Sequence, residues 1–139
     1  MNSLSTTPLK QSPADKPRIL LVDDDTDLLH LMTVRLKANG YDVNAVNNAE
    51  NALSRIGAYR PHVVVTDLKM SGMDGMALFE VIQKKYLRLP VIISGTVTDA
   101  SGRLVPDLEK GDFAIFDENK PAEIVLFENT IQPFTAVVM

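Results

Sequence analysis

The sequence predicts an α/β fold in which a doubly wound parallel sheet is covered by helices. Three observations support this prediction: short apolar runs recur along the chain, amphipathic stretches separate them, and capping residues or prolines mark the connections. Fully apolar strands that alternate with amphipathic helices are typical of parallel sheets buried on both faces. Right-handed crossovers then produce a doubly wound arrangement.

The first strand and helix lie near the start of this pattern. "RILLV" (18–22) is an apolar run, and the stretch after it has leucines at helical spacing. Asp25 or Thr26 can cap the start of this helix, and Gly40 can provide the left-handed residue that ends it. "YDVNAV" (41–46) then alternates apolar and polar residues, which predicts an edge or half-covered strand.

The same order continues through the middle of the chain. Asn47 or Asn48 can cap a second helix, after which Pro61 precedes the apolar strand "HVVVTD". A glycine-containing loop leads to the third helix, "MALFEVIQKKYLRL". Pro90 introduces a fourth strand, "VIIS", so the predicted order is β-α-β-α-β-α-β.

Composition excludes several classes of protein. The 139 residues contain no cysteine, which excludes disulfides and thiolate metal sites. The net charge of −4 argues against nucleic-acid binding through a basic surface. No apolar run reaches the roughly 18 residues of a membrane span. We therefore expect a cytoplasmic protein that binds neither membrane nor nucleic acid.

The chain divides into three parts at the sequence level. Residues 1–17 are rich in Pro, Ser and Thr, which predicts a disordered tail, and residues 18–96 form the α/β domain. Within the atypical segment 97–139, Gly102 and Pro106 argue against a helix over 97–110. "DFAIF" and "EIVLF", separated by "DENKPA", predict an antiparallel hairpin, and "FTAVVM" is another strand-like run.

Acidic residues follow two of the apolar strands. Asp23, Asp24 and Asp25 come directly after the first strand, and Asp67 ends the third. Ligands of doubly wound sheets bind beyond the carboxyl ends of the strands, so these acids are expected to meet at one edge. Mg²⁺ is a hard cation that binds carboxylates and neutralises phosphoryl oxygens, and a carboxylate can itself be phosphorylated.

Each of these residues also has a structural interpretation. A single aspartate after a strand is more often a helix cap or a turn former, and Asp74 with Gly75 is expected to form a turn into the third helix. The two histidines, His30 and His62, show no metal-ligand spacing. The joint placement of acids after the first and third strands is what favours a site.

The motifs "RILLVDDDTDLLHLMTVRLKANGYDV", "HVVVTDLKMSGMDGMALFEVIQ" and "LPVIISG" resemble the receiver domain of bacterial response regulators over about residues 17–96. The resemblance implies a flavodoxin-like fold with strand order 2-1-3-4. It implies that Asp67 is a phosphoacceptor loaded by a sensor histidine kinase or a small phosphodonor. It also implies that Mg²⁺ is bound by Asp24, by Asp23 through water, by Asp67 and by the Lys69 backbone carbonyl.

Other family features are harder to place on this chain. A hydroxyl at the end of the fourth strand contacts the phosphate in the family, and either Ser94 or Thr96 can fill that role. Ser71 stands where receivers usually have proline, which should loosen the loop. Lys120-Pro121 resembles the family's Lys-Pro pair, but Lys120 is more simply a hairpin-turn lysine. The resemblance implies that the chain is not an enzyme. At most, it is expected to phosphorylate itself from small donors and to dephosphorylate itself slowly.

The resemblance leaves two alternatives open. Residues 97–139 resemble a β-rich segment associated with von Willebrand type A domains, so the receiver half could be a vestigial scaffold for protein interaction. A Mg²⁺-dependent phosphatase of the haloacid-dehalogenase type is a weaker hypothesis. Asp23 and Asp25 match the start of that family's D-x-D-x-T/V pattern, but Asp27 occupies its last position.

Overall fold

The computed structural model describes residues 16–117, 119–128 and 134–138, so nearly all of the tail predicted for 1–17 lies outside the described residues. The helices are α1 (Thr26–Ala38), α2 (Ala49–Tyr59) and α3 (Gly75–Lys85). The strands are β1 (Arg18–Val22), β2 (Asp42–Val46), β3 (Val63–Asp67), β4 (Val91–Gly95), β5 (Ile115–Asp117), β6 (Lys120–Ala122), β7 (Ile124–Glu128) and β8 (Phe134–Val138).

The main sheet has the strand order β2-β1-β3-β4-β8-β7. Its first four strands are parallel to one another, which confirms the predicted 2-1-3-4 order of a flavodoxin-like fold. β8 pairs with β4 in the antiparallel direction, and β7 pairs with β8 in the same way. The fifth position of the sheet, left uncertain by the sequence, is therefore occupied by an antiparallel strand.

Side-chain caps begin all three helices. In each cap a carboxylate or amide oxygen accepts a hydrogen bond from a backbone N–H in the first turn, which satisfies a donor that the helix leaves free. The donor–acceptor pairs are Leu28 to Asp25, Asn51 to Asn48 and Ala77 to Asp74. Of the alternatives open in the sequence, Asp25 and Asn48 are thus the capping residues.

The two faces of the sheet are covered unequally. On one face, α2 and α3 enclose the main core, whose largest fully buried side chain is Phe79. On the other face α1 covers a smaller cluster, in which Leu21, Leu29 and Val43 are buried. Ile115 and Ala122, from β5 and β6, pack against the main core and extend its cover.

The predicted hairpin between 112–116 and 123–127 is wrong in its pairing. β5 pairs instead with β6, which begins only three residues after β5 ends, and β7 pairs with β8. The early turn is possible because Asn119 adopts a left-handed conformation (φ 65°), which asparagine tolerates. Pro121 lies opposite Phe116 in this two-stranded ribbon, where a residue without an N–H is acceptable because every strand is an edge.

The segment between β4 and β5 contains no helix over residues 97–109, as predicted. A single bridge joins Thr98 to Leu104, and a 3-10 turn follows at Lys110–Asp112. Across the described part of the chain, no helix combines the length and apolar character needed to cross a bilayer.

Candidate metal and phosphoryl site

The carboxyl ends of β1 and β3 lie side by side. Val22 is paired with Thr66, so the residues that follow, Asp23 and Asp67, stand at the same edge of the sheet. The amide of Asp23 donates to the carbonyl of Val46 (3.2 Å), which extends the strand pairing just past β1. Parallel pairing therefore places acids from two separate segments together.

Three aspartates converge at this edge. One carboxylate oxygen from each of Asp23, Asp24 and Asp67 lies within 4.8 Å of the others. Asp23 is buried (6% exposed), Asp67 is half-buried and Asp24 is exposed. Residues 43 positions apart thus form one oxygen-rich cluster, open to solvent on the Asp24 side.

Two acids of the cluster, Asp23 and Asp67, are harder to ionise than ordinary aspartates. Burial raises the pKa of Asp67 above its ordinary value, and the negative charges of Asp23 and Asp24 add to this. Amide hydrogen bonds from Leu68 and Lys69 act in the opposite direction. Burial likewise raises the pKa of Asp23, against a hydrogen bond from the Asp25 amide. A cation between these groups would relieve the repulsion.

Asp25 and Asp74 have structural roles at this edge. The Asp25 side chain caps α1 and is not part of the three-acid cluster, and the Asp74 side chain caps α3. The D-x-D pattern of a haloacid-dehalogenase phosphatase requires both Asp23 and Asp25 to act in chemistry. The capping role of Asp25 argues against that alternative.

Both candidate hydroxyl residues lie beside the acids. Ser94 is the register partner of Asp67, and in parallel strands paired residues project from the same face of the sheet. The Leu68 amide donates to the Ser94 carbonyl (2.7 Å), which holds the two strand ends together. Ser94 and Thr96 both line a cavity of about 500 Å³ that also contains the three acids.

The loop after β3 folds back tightly on Asp67. The Gly75 amide donates to the Leu68 carbonyl (2.9 Å), and a Cβ at position 75 would overlap the backbone carbonyl of Asp67. Only glycine fits such a close approach of two backbone segments. Gly75 thus fixes the position of Asp67.

Ser71 makes a contact that the sequence did not predict. Its amide donates to Oδ2 of Asp24 (3.0 Å), and its hydroxyl lies 3.4 Å from the same oxygen. The sequence indicated only that a residue other than proline would loosen the loop. The sequence did show that position 71 is not proline, so its backbone N–H can donate a hydrogen bond.

Lys120 lies in the β5–β6 ribbon. It is exposed, it begins β6 directly after the turn at Asn119, and it is not among the residues that line the cavity with the acids. This placement agrees with a hairpin-turn lysine and gives no support to a phosphate-contacting one. On the side of β4 away from β3, the neighbouring strand in the sheet is the antiparallel β8.

The donor chemistry of the cluster fits Mg²⁺. Carboxylate oxygens are the ligands that this ion prefers, and it commonly uses only one or two of them. Burial and the charges of neighbouring aspartates both raise the pKa of Asp23 and of Asp67, and a bound cation would oppose these effects. The Lys69 amide lies against Asp67, so the backbone at Lys69 is next to the same cluster.

Curated relatives are transcriptional regulators. The chain is 41% identical over 85 residues to the transcriptional regulatory protein GlrR of Escherichia coli, which covers 59% of this chain and 19% of that protein. It is 32% identical over 111 residues to the DNA-binding response regulator MtrA of Mycobacterium tuberculosis, which covers 79% of this chain and 48% of the relative. The chain thus spans less than half the length of these relatives.

Solved structures show the same fold. The chemotaxis protein CheY4 of Vibrio cholerae aligns with a TM-score of 0.58 and 23% identity, covering 62% of this chain and 73% of that one. The response regulator TrrA of Thermotoga maritima, solved in complex with Mg²⁺-BeF, aligns with a TM-score of 0.52 and 29% identity, covering 54% and 65%.

A family model settles the classification. The model of the response regulator receiver domain matches residues 19–108, well over half of the chain. The comparisons do not support the proposed resemblance of residues 97–139 to a segment associated with von Willebrand type A domains. The matched region contains all three acids of the cluster and both strands that hold them. The chain therefore belongs to the response regulator receiver domain family.

Proposed function

We propose that this chain is a phosphoacceptor module of a two-component phosphorelay, with Mg²⁺-dependent phosphorylation at Asp67. The observation that carries the proposal is the convergence of the three aspartates within 4.8 Å at the carboxyl edge of the sheet. Residues 18–96 constitute the receiver unit in this proposal, and residues 97–139 a C-terminal segment that supplies cover for the sheet.

Asp67 is the nucleophile in this scheme. One of its carboxylate oxygens forms a bond to phosphorus, while the bond from phosphorus to the donor breaks and the leaving group takes the electron pair. The backbone N–H groups of Leu68 and Lys69 act to lower the pKa of Asp67 against the effect of burial, which favours its ionised form. The half-buried position of Asp67 leaves it accessible from the cavity.

The neighbouring acids hold the metal ion. Asp24 and Asp67 would bind Mg²⁺ directly, Asp23 through water, and the backbone carbonyl of Lys69 would complete the protein's ligands. Bound Mg²⁺ neutralises charge on the transferred phosphoryl group. Asp23 is the most buried of the three acids, and the Asp25 amide donates a hydrogen bond to its Oδ1. Both features restrict the movement of the Asp23 side chain.

A hydroxyl on the other side of the cavity can donate to the phosphoryl oxygens. We assign this role to Ser94 because it lies in register with Asp67 on the same face of the sheet. Thr96 lines the same cavity but lies beyond the end of β4. Lys120 has no role in this proposal, because it lies in the ribbon away from the cavity lining.

The expected phosphodonor is a sensor histidine kinase, as for receiver domains in general. The module would work in the cytoplasm and transfer its signal to an output partner. Two relatives named above are transcriptional regulators, which suggests that output affects transcription. No enzymatic activity is proposed beyond self-phosphorylation from small donors and slow autodephosphorylation.

The alternative of a vestigial scaffold for protein interaction predicts degraded site geometry. The acids are instead brought together, and Gly75 keeps the tight approach that fixes Asp67. The phosphoacceptor function therefore explains more of the described residues.

Incubation with Mg²⁺ and acetyl phosphate tests the proposal. Intact-mass measurement should show one added phosphoryl group in the wild type and none in Asp67→Asn. Asp74→Asn is a matched control, because asparagine preserves the cap of α3 and the position lies outside the cluster. Equal labelling of Asp67→Asn and wild type would refute the assignment.

A further inference from the structure

We propose that Ser71 is a positioning residue that holds Asp24 as a single-oxygen ligand and thereby favours Mg²⁺ over Ca²⁺. The inference rests on the proposed metal site, and it assigns a specific role to a residue outside the three acids. It starts from one hydrogen bond between two loops that are 47 residues apart in the sequence.

The geometry gives the two donors of Ser71 unequal weight. The amide lies 3.0 Å from Oδ2 of Asp24, a normal hydrogen-bond distance, whereas the hydroxyl lies 3.4 Å from the same atom. Hydrogen bonds between a neutral donor and a carboxylate are stronger than neutral pairs and sensitive to distance. The amide is therefore the main contact, and the hydroxyl adds little.

This contact orients a carboxylate that has little other support. Asp24 is exposed, and Oδ1 accepts no hydrogen bond from any of the residues that the structure describes. Without Ser71 the side chain would be free to rotate about its χ angles, and binding a metal would require that freedom to be lost. The Ser71 amide restricts this rotation in advance, which reduces the cost of binding.

The fixed orientation also affects the choice of ion. Mg²⁺ requires near-octahedral geometry with one oxygen from each ligand, whereas Ca²⁺ accepts six to eight oxygens and often takes both from one carboxylate. Because the Ser71 amide occupies one lone pair of Oδ2, Oδ1 is the oxygen of Asp24 that is more readily available to a cation. A bidentate Asp24, which would help Ca²⁺, has to share Oδ2 between the ion and the Ser71 amide, which weakens both interactions.

Three variants distinguish the roles of the Ser71 amide and the Ser71 hydroxyl from a general effect of substitution. Ser71→Pro removes both the amide hydrogen and the hydroxyl, and a proline here is compatible with the loop because receivers usually have one at this position. Ser71→Ala removes only the hydroxyl. Ser101→Ala is the matched control: Ser101 contacts Asp99 through amide and hydroxyl (2.8 and 2.6 Å), but Asp99 is not in the acid cluster.

Titration calorimetry with MgCl₂ or CaCl₂ alone, on the full chain, provides the readout. In Ser71→Pro the dissociation constant for Mg²⁺ should rise about tenfold, as for other residues that orient metal ligands. The constant for Ca²⁺ should change less, so the preference for Mg²⁺ should fall. Ser71→Ala and Ser101→Ala should bind both ions within about twofold of the wild type, because the main amide contact is intact.

The outcomes distinguish this inference from the proposed function. If the wild type binds no Mg²⁺, the metal site itself is wrong. If the wild type binds Mg²⁺ but Ser71→Pro changes both ions by the same factor, or neither, the positioning role of Ser71 is refuted while the site stands. A loop that was merely loosened would weaken both ions alike.

A second measurement covers the case in which Ser71→Pro does not fold. Amide hydrogen exchange at Ser71 should be faster in Asp24→Ala than in the wild type, because the acceptor of its hydrogen bond is gone. The Ser101 amide, bound to Asp99, should exchange at the same rate in both proteins. Unchanged exchange at Ser71 would overturn the inference.

Discussion

Residues have different roles at the acid-bearing edge of the sheet and in residues 97–128 of the C-terminal segment. At the edge, short loops bring polar groups of Asp23, Asp24 and Asp67 together. In the C-terminal segment, Ile115 and Ala122 contribute apolar contacts to the main core, while its lysine at 120 stays exposed. One region therefore gathers the residues of the candidate site, and the other supplies cover for the core.

The comparison shows that a receiver-type edge stands here beside a sheet whose next strand after β4 is antiparallel. β1, β3 and β4 place the acids and Ser94 through their own register. The antiparallel β8 continues the sheet beside β4, and no residue of the β5–β6 ribbon is among the described residues that line the cavity. The following variants test this separation of roles, from the largest expected effect to the smallest.

The largest expected difference is in the free energy of unfolding when a glycine in each region is replaced by alanine. Gly75→Ala should lower the free energy of unfolding by about 2 kcal/mol or more, because the new Cβ would overlap the Asp67 carbonyl. Gly111→Ala should change it by less than about 0.5 kcal/mol, since nothing lies within 4 Å of a Cβ there. Urea denaturation measures both. Similar losses of unfolding free energy in the two variants would contradict the close approach of Gly75 to the Asp67 backbone.

The ribbon's cover of the core gives the next largest effect. Ile115→Ala should lower the free energy of unfolding by about 1 kcal/mol, less than for a fully buried isoleucine because Ile115 is half-buried. Mg²⁺ affinity should be unchanged. Phe116→Ala is the control, since Phe116 is adjacent but 50% exposed. Equal losses for the two would show that the ribbon does not dock on the core.

A stabilising substitution is expected at the acid edge. The pKa of Asp67 is raised in the folded state, so its contribution to stability is present below its unfolded pKa and is lost as the pH rises through the folded value. Asp67→Asn should therefore raise the melting temperature by a few degrees at pH 7 without metal.

The pH dependence of this effect provides its control. The difference between Asp67→Asn and wild type should shrink as the pH falls to the range where both folded and unfolded Asp67 are protonated. Saturating Mg²⁺ should also reduce it, since the ion stabilises the wild type by binding the folded state. If Asp67→Asn has a lower melting temperature than the wild type at pH 7, the conclusion that ionised Asp67 destabilises the folded state is contradicted.

The smallest effect is expected at Lys120. Lys120→Ala should leave both labelling by acetyl phosphate and Mg²⁺ affinity within about twofold of the wild type, because the charge of an exposed lysine outside the cavity lining is screened by solvent and salt. Mass spectrometry and calorimetry measure the two quantities. A severalfold loss of labelling would mean that the ribbon brings Lys120 to the acids.

The sequence predicts the first region well because its signals are local. Apolar runs define β1 to β4, while candidate caps (Asp25 or Thr26, Asn47 or Asn48) and the turn at Asp74 mark the helix starts, among which the structure selects Asp25 and Asn48. Chain order and crossover handedness then dictate that Asp23 and Asp67 share an edge. Each step depends on residues close in sequence or on a rule that nearly all parallel sheets follow.

The C-terminal pairing and the Ser71 contact depend on tertiary structure. β5 and β6 have three residues each, too few for periodicity to choose a partner, and the position of the ribbon follows from how Ile115 and Ala122 dock on the core. The Ser71 amide is a donor that every residue except proline has, so its partner cannot be predicted without the position of Asp24.

Mg²⁺ titration followed by amide NMR tests the central claim most directly. If one divalent ion binds where segments from two strand ends meet, the largest saturable shifts should come together at the amides of Asp24, Leu68 and Lys69, with a single dissociation constant. Asp67→Asn should abolish or strongly weaken them. An absence of saturable shifts there, or a site elsewhere in the chain, would contradict the account.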